Sequence, residues 1–377
     1  MARLDQICSL NMGQSPASSS YNENGEGIPF FQGNADFGKV HPRVRVWCSA
    51  PTKVAHAGDV LISVRAPIGA LNIADRECCI GRGLAALTVN EELCNKDYLW
   101  FAIASKVDEL NSKGTGSTFK AISKSVLAET EIPLPPLIEQ QGVAGQLAKV
   151  DELIALRKEQ LTKLDELVKS RFIELFGMPG TDTNGWGFIP LGEVCQINPK
   201  KGQDKRLASG LTVSFVPMPA VSEKGEIDPS DTREYDAVKT GFTYFAENDV
   251  LFAKITPCME NGKGAVARGL YNGIGFGSTE FHVLRPISGK TNPYWLYMLT
   301  AFSQFREDAA NNMTGSAGQR RVPASFLENY RVSVPPMGLQ EQFAAFVVQT
   351  DKSKLVIQES LAELETLKKA LMQKYFG

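Results

Sequence analysis

The 377-residue sequence has no excess of positive charge: 40 Lys and Arg stand against 42 Asp and Glu, for a formal net charge of −2 and a pI near 6.1. A protein that coats nucleic acid needs many cations opposite phosphates, so any such contact here must come from local patches or be shared with partners. Histidine is scarce, and His41, His56 and His282 are dispersed, a pattern that reads as structural rather than catalytic. The seven cysteines are odd in number, with no Cys-x-x-Cys pair and no histidine cluster beside them. A disulfide framework and a metal site are therefore not expected, and the cysteines read as small buried hydrophobes of a reducing compartment. No apolar run approaches the length of a bilayer crossing, and Met1-Ala-Arg-Leu-Asp-Gln resembles neither a signal nor a transit peptide. The expectation is a cytoplasmic chain with no membrane partner.

Two enzymatic signatures are also missing. There is no Gly-x-x-x-x-Gly-Lys-Ser/Thr phosphate loop, which excludes ATP turnover by that device. The nearest approach to the Asn/Asp-Pro-Pro-aromatic segment that grips a flipped adenine is Asn292-Pro-Tyr-Trp295, which lacks the second proline. Its counterpart earlier in the chain, Asn95-Lys-Asp-Tyr98, reads as a helix start. No catalytic residue, cofactor or metal is predicted in this chain.

What is present is a repeat. The chain is long enough for two or three domains, and it is self-similar at a period near 200 residues. Ile132-Pro-Leu-Pro-Pro136 matches Val332-Ser-Val-Pro-Pro336, and each is followed by a Glu-Gln pair, Glu139-Gln140 and Glu341-Gln342. A long proline-free stretch follows each pair and closes with Leu175-Phe-Gly177 or Tyr375-Phe-Gly377. Prolines 135 and 335 and glycines 177 and 377 are offset by 200, whereas the Glu-Gln pairs are offset by 202. Looser matches lie between: Leu4-Asp-Gln-Ile-Cys8 with Leu191-Gly-Glu-Val-Cys195, Gly58-Asp-Val-Leu-Ile62 with Asn248-Asp-Val-Leu-Phe252, and Gly81 to Val89 with Gly277 to Leu284. Alternating runs at 59–64, 84–89, 213–216 and 281–284 predict strands broken by Gly, Pro and Asn, so each globular part is mainly β.

The proline-free stretches carry heptad seams at alternating spacings of four and three. The first runs through Val143, Leu147, Val150, Ile154, Leu161, Leu164 and Val168, with Arg157 and Arg171 interrupting it. The second runs through Phe343, Val347, Ile357, Leu361, Leu364 and Leu371, interrupted by Lys354 and Lys368. Two helices of about 35 residues are predicted, each ending at a glycine, each needing a partner for its apolar stripe. The nearest partner is the other copy. The fold expected is α+β: two β-rich globular domains in tandem repeat, separated by two long α-helices forming an antiparallel coiled coil. The boundaries read as a first domain at 1–138, a first helix at 139–177, a linker at 178–190, a second domain at 191–338 and a second helix at 339–377.

With these motifs the sequence resembles the specificity subunits of type I restriction-modification systems along essentially its whole length. The resemblance rests on Ile132 to Gln140 leading into a helix that ends at Gly177, on its repeat from Val334 to Gly377, on Leu191-Gly-Glu-Val194, and on the Gly-rich loops at 114–117 and 314–316. It implies two target recognition domains separated by a conserved helix pair. That pair acts as spacer and as docking surface for two modification subunits, which bind S-adenosylmethionine and methylate adenine. Restriction subunits supply the ATP- and Mg-dependent motor and nuclease. Two readers kept apart suit double-stranded DNA with a bipartite target and a fixed unread gap.

Base reading needs donors that can place two hydrogen bonds on a base edge, carried on loops. In the first domain the candidates are Arg43, Arg45, Arg65, Arg82, Ser117, Thr118 and Lys120; in the second, Lys254, Thr256, Lys263, Thr279, Gln319, Arg320 and Arg321. Arg43 and Arg45 alternate as on one strand face, for which a solvated face is the competing reading. Plain turns with positive φ compete evenly with DNA contact at Gly114 to Lys120, whereas the donor cluster favours DNA contact at Ser316 to Arg321. A coiled-coil adaptor that binds no DNA and a stand-alone repressor are the competing readings; the acidic pI counts against the repressor.

Overall fold

The computed structural model describes residues 1–116, 120–316 and 318–377, which divide into two compact units. The first comprises Met1–Lys158 and Glu359–Gly377, the second Glu159–Gln358. Each unit therefore holds one globular body, part of the long helix Leu137–Phe176 and part of the long helix Met337–Phe376. Helix and sheet are both present throughout, in the α+β organisation the sequence predicts.

The globular bodies are built alike. In the first unit a four-stranded antiparallel sheet runs Cys8–Met12, Leu84–Val89, Val60–Ser63, Leu71–Ile73; in the second, the strands Cys195–Ile197, Phe281–Pro286, Val250–Ala253 and Gly264–Val266 follow the same order. A second sheet in each contains one parallel pair, Ile28–Phe31 with Cys78–Ile80 and Thr212–Val216 with Ile274–Gly277. The central strands are apolar on both faces because each is sandwiched: Leu61 faces one core cluster and Val60 and Ile62 the other. A two-stranded pair joins the beginning of each body to its end, Ala2–Arg3 with Glu131–Ile132 and Phe188–Pro190 with Arg331–Ser333. Six of the seven cysteines are buried, and burial pushes the thiols of Cys8, Cys78 and Cys195 up to about 12, as small core hydrophobes require.

The long helices are 40 residues each, longer than the seams alone suggest, because they begin right after Pro136 and Pro336. The first stops at Gly177, whose φ of +78° lets its N–H reach the Ile173 carbonyl. A Cβ there would also meet the Thr183 hydroxyl at 2.2 Å, so only glycine fits.

The start of each helix is tied to its own globular body by one buried glutamine. Gln140 accepts the Asn95 N–H through Oε1 at 2.8 Å and donates from Nε2 to the carbonyls of Leu93 and Pro135. Gln340 accepts the Asn292 N–H at 2.8 Å and donates to the carbonyls of Lys290 and Pro335. Both side chains are fully buried, whereas Gln342 is exposed. The true partner of Gln140 is thus Gln340, and the offset of 202 between the Glu-Gln pairs is a coincidence of neighbouring glutamines. Asn95 and Asn292 are helix N-caps whose side chains accept from Tyr98 and Tyr294 N–H groups, which accounts for the Asn292-Pro-Tyr-Trp segment as a helix start with proline in its first turn.

Within each unit the two helices pack antiparallel. In the first, Val143, Ala144 and Leu147 share a core with Leu371, Met372 and Phe376. In the second, Val168, Phe172 and Phe176 share one with Phe343, Phe346 and Val347, and the rings of Phe172 and Phe343 meet edge-on at 5.4 Å. Of the seam positions, Val143, Leu147, Val150, Val168 and Phe343 are buried, while Ile154, Leu161, Leu164, Val347, Ile357, Leu361, Leu364 and Leu371 are half-buried. The stripe broadens to include Phe172, Phe176 and Phe376, since the helix ends also face a globular body. The interrupting charges pair across the seam. Lys368 meets Asp151 at 2.6 Å in the first unit, and Lys354 meets Asp165 at 2.5 Å in the second. Arg157 donates to Ser360, and Arg171 lies over the Phe346 ring.

Candidate nucleic-acid interface

Each body carries a rim of polar side chains where the central strand runs out into a loop. In the first unit, Val64 donates its N–H to the Gly83 carbonyl at 2.9 Å, Ile122 donates to Val64 at 2.9 Å, and Ala66 donates to Lys120 at 3.0 Å. Bridges from Ala121 to Arg65 and to Thr115 complete the ladder. This main-chain mesh puts Arg65 between Arg82 on one side and Lys120 on the other, and all three side chains are exposed. Gly83 permits it: a Cβ there would strike the Gln32 carbonyl at 2.4 Å.

The second unit repeats the mesh with different side chains. Lys254 donates its N–H to the Glu280 carbonyl at 2.9 Å, Val322 donates to Lys254 at 2.9 Å, and Thr256 donates to Arg320 at 3.1 Å. Arg321 bridges to both Ile255 and Thr314, as Ala121 does to Arg65 and Thr115. Lys254, Thr256, Thr279, Gln319, Arg320 and Arg321 are thereby gathered on one edge. Thr279, Gln319 and Arg320 are exposed and the others half-buried. Lys263 lies on the same loop but turns its ammonium to the Met218 carbonyl at 3.3 Å.

Two groups of sequence candidates sit differently from expectation. Arg43 and Arg45 are exposed but not on a strand; they lie on an irregular segment that precedes the strand Trp47–Cys48. Arg45 is held there by the Asp36 carboxylate at 2.5 Å and the Ala35 carbonyl at 2.8 Å, and Arg43 donates its backbone N–H to Asp36. The segment still borders the rim, because Asp36 also accepts from Gln32 N–H and the Gln32 carbonyl accepts from Gly83. Ser117 and Thr118 lie outside the described residues.

The residues that sequence reading missed are acidic. Glu280 grips Arg321 in a fork, with Nε to Oε2 at 2.9 Å and Nη2 to Oε1 at 2.8 Å, and the remaining nitrogen Nη1 reaches the Gln319 carbonyl. Arg321's hydrogen bonds and charge hold the Glu280 carboxyl below the usual glutamate range. Glu260 meets Arg320 more loosely, at 3.3 Å. A search for donors alone passes over both carboxylates, although each sits within a few residues of a candidate. Such an edge offers guanidinium groups for guanine edges or phosphates, hydroxyls for either, and carboxylates able to accept from cytosine. Among the described residues no group of three or more His, Cys, Asp or Glu is placed to hold a metal ion. His282 is buried structurally, with Nε2 on the Val322 carbonyl at 2.8 Å and Nδ1 on the Asn198 amide.

Comparison with known proteins bears on what such paired rims are for. A sequence profile described as the type I restriction modification DNA specificity domain matches residues 1–166 and again 183–366. The chain is similar to a putative type I restriction enzyme specificity subunit, MjaX, of Methanocaldococcus jannaschii, with 42% identity over 158 residues, covering 42% of this chain and 37% of the relative. It is also similar to the EcoEI specificity subunit of Escherichia coli, 35% identical over 223 residues, covering 54% of this chain and 36% of that one. The matched segments thus span little more than a third of these relatives' length. In fold it resembles a solved type I restriction-modification S subunit from M. genitalium, with a TM-score of 0.60 at 15% identity, covering 100% of this chain and 95% of that one. No described helix is long and apolar enough to cross a membrane.

Proposed function

The chain belongs to the type I restriction-modification DNA specificity family, matched twice in tandem, and from that premise we propose that it reads double-stranded DNA at a bipartite target, one half-site per rim. The observation that carries this reading is the repetition of one main-chain mesh beneath unlike side chains. Arg82, Arg65 and Lys120 occupy the first rim where Thr279, Ile255 and Arg320 occupy the second. A scaffold that only buries itself gains nothing from varied exposed donors on a fixed frame, whereas two readers of different sequences need that combination. The family assignment disfavours the adaptor alternative.

In this proposal the paired long helices set the unread gap and dock two modification subunits. Those partners bind S-adenosylmethionine and methylate adenine within the target, and restriction subunits add ATP- and Mg-dependent translocation and cleavage. This chain carries no catalytic residue and no cofactor of its own, and the complex works in the cytoplasm. The near-neutral charge fits a division of labour in which this chain supplies base contacts and the partners supply much of the phosphate contact. Co-expression with the modification subunit in a methylation-free host, followed by mapping of methylated adenines across the host chromosome, tests the reading. One split motif with a constant gap is expected; the absence of any sequence-dependent methylation would overturn it.

A further inference from the structure

Arg306 is the least accommodated charge in the second unit. It lies on the helix Ser303–Asn311, is only 7% exposed, and among the described residues no carboxylate pairs with it. Its Nη1 donates to the Met259 carbonyl at 2.6 Å and its Nη2 to the Gly262 carbonyl at 2.9 Å. The guanidinium stacks 5.5 Å from the Phe252 ring centre, and its Nε is buried without a partner. Burial lowers its pKa to about 10, so it stays protonated at neutral pH. A buried cation with two neutral acceptors and one orphan donor is a poor stabiliser compared with an apolar side chain of similar volume. Its geometry serves another purpose, since both acceptors belong to one loop.

That loop, residues 254–263, leaves the central strand at the rim and carries Glu260, the partner of Arg320. It is three residues longer than its counterpart, residues 64–70. In the first unit Val107 stands as far before Thr115 as Arg306 stands before Thr314, and Val107 packs directly against Gly69 of the short loop. The short loop is held as well by Asn111, whose amide donates to the Ile68 carbonyl at 3.1 Å. The longer loop is met instead by the guanidinium of Arg306, through its bonds to the Met259 and Gly262 carbonyls.

We propose that Arg306 is a positioning residue that determines specificity in the second domain: by holding the Met259 and Gly262 carbonyls it fixes Glu260, and through Glu260 the Arg320 head, without itself reaching DNA. The inference rests on the DNA-reading assignment above. A bipartite target supplies its own control, because the half-site read by the first domain does not depend on this loop.

The test uses the full chain co-expressed with its modification partner, with methylated adenines in the host chromosome as the probe. Arg306→Met removes both donors, Arg306→Lys keeps the charge but cannot span both carbonyls, and Glu260→Ala alters only an exposed side chain. Arg306→Met and Glu260→Ala are expected to raise methylation of singly mismatched sites about tenfold, at the same positions and in one half-site only. Arg306→Lys should fall between them and the parent. Unchanged mismatch frequencies, or equal relaxation in both half-sites, overturn the clamp. Should Arg306→Met fail to accumulate, Glu260→Ala decides. A parent chain that directs no split-motif methylation overturns the DNA-reading assignment first, and the clamp with it.

Discussion

Replacing Gln340 by alanine removes one side chain and three hydrogen bonds at the point where the second long helix joins its globular body. The Asn292 N–H and the Lys290 and Pro335 carbonyls lose their partner in a site with no exposure. Each buried group left unsatisfied costs about 1–3 kcal/mol. Opening the site lets water reach some of these groups, so the expected loss is about 3–5 kcal/mol rather than the full sum. For a body of this size that corresponds to a fall of about 10 °C in the melting temperature of the second unit. Gln342→Ala provides the control, since that residue is exposed and its loss should stay within about 0.5 kcal/mol. Gln140→Ala should reproduce the larger effect in the first unit. Denaturant or thermal unfolding of the three variants side by side measures this. If Gln342→Ala proved as damaging as Gln340→Ala, or if the latter melted with the parent, the assignment of the anchoring residue would be refuted.

Three further outcomes follow from the same geometry. His282 is buried and its pKa lowered mainly by desolvation, so the unfolded chain binds a proton more readily than the folded one. Stability should therefore fall as pH drops below about 6.5, and His282→Gln should flatten that limb of the melting curve; an unchanged pH profile would count against it. Asp151→Lys and Lys368→Asp should each destabilise the first unit, and the charge-swapped double variant should recover about 0.5 kcal/mol of coupling that disappears in high salt, as suits a pair about a third exposed. Arg320→Ala with Arg321→Ala should reduce the salt slope of target binding by up to about two; an unchanged slope and affinity would remove both arginines from the interface.

Much of this architecture was legible because the repeated features are local. The Pro-Pro ending of each body, the seam and the closing glycine recur at one offset, and the Asn95 and Asn292 caps could be read as helix starts. The runs at 84–89 and 281–284, bounded by Gly, Pro and Asn, read as strands, and strands lie at Leu84–Val89 and Phe281–Pro286. Matching Gln140 with Gln342 misaligns the repeat because two glutamines two residues apart are equivalent in sequence, and only burial separates Gln340 from Gln342. Arg43 and Arg45 looked like a strand face because their alternation is real, but Asp36 draws Arg45 into a loop, and a contact across the chain leaves no periodic trace. Arg306 and the two rim glutamates stayed hidden for a related reason. Their significance lies in which main-chain groups and guanidiniums the fold brings to them.

The mesh beneath each rim is built mainly of amide-to-carbonyl bonds, joined in the second unit by the Thr256 hydroxyl on the Arg320 carbonyl. Such main-chain bonds depend little on the side chain except where glycine is required or proline would remove a donor. Exposed residues such as Arg65, Arg82, Lys120, Thr279 and Arg320 can therefore be exchanged with small effects on folding, typically within about 0.5 kcal/mol. If the rims read DNA as proposed, new target preferences can accumulate, by drift or by deliberate grafting, on an unchanged chassis.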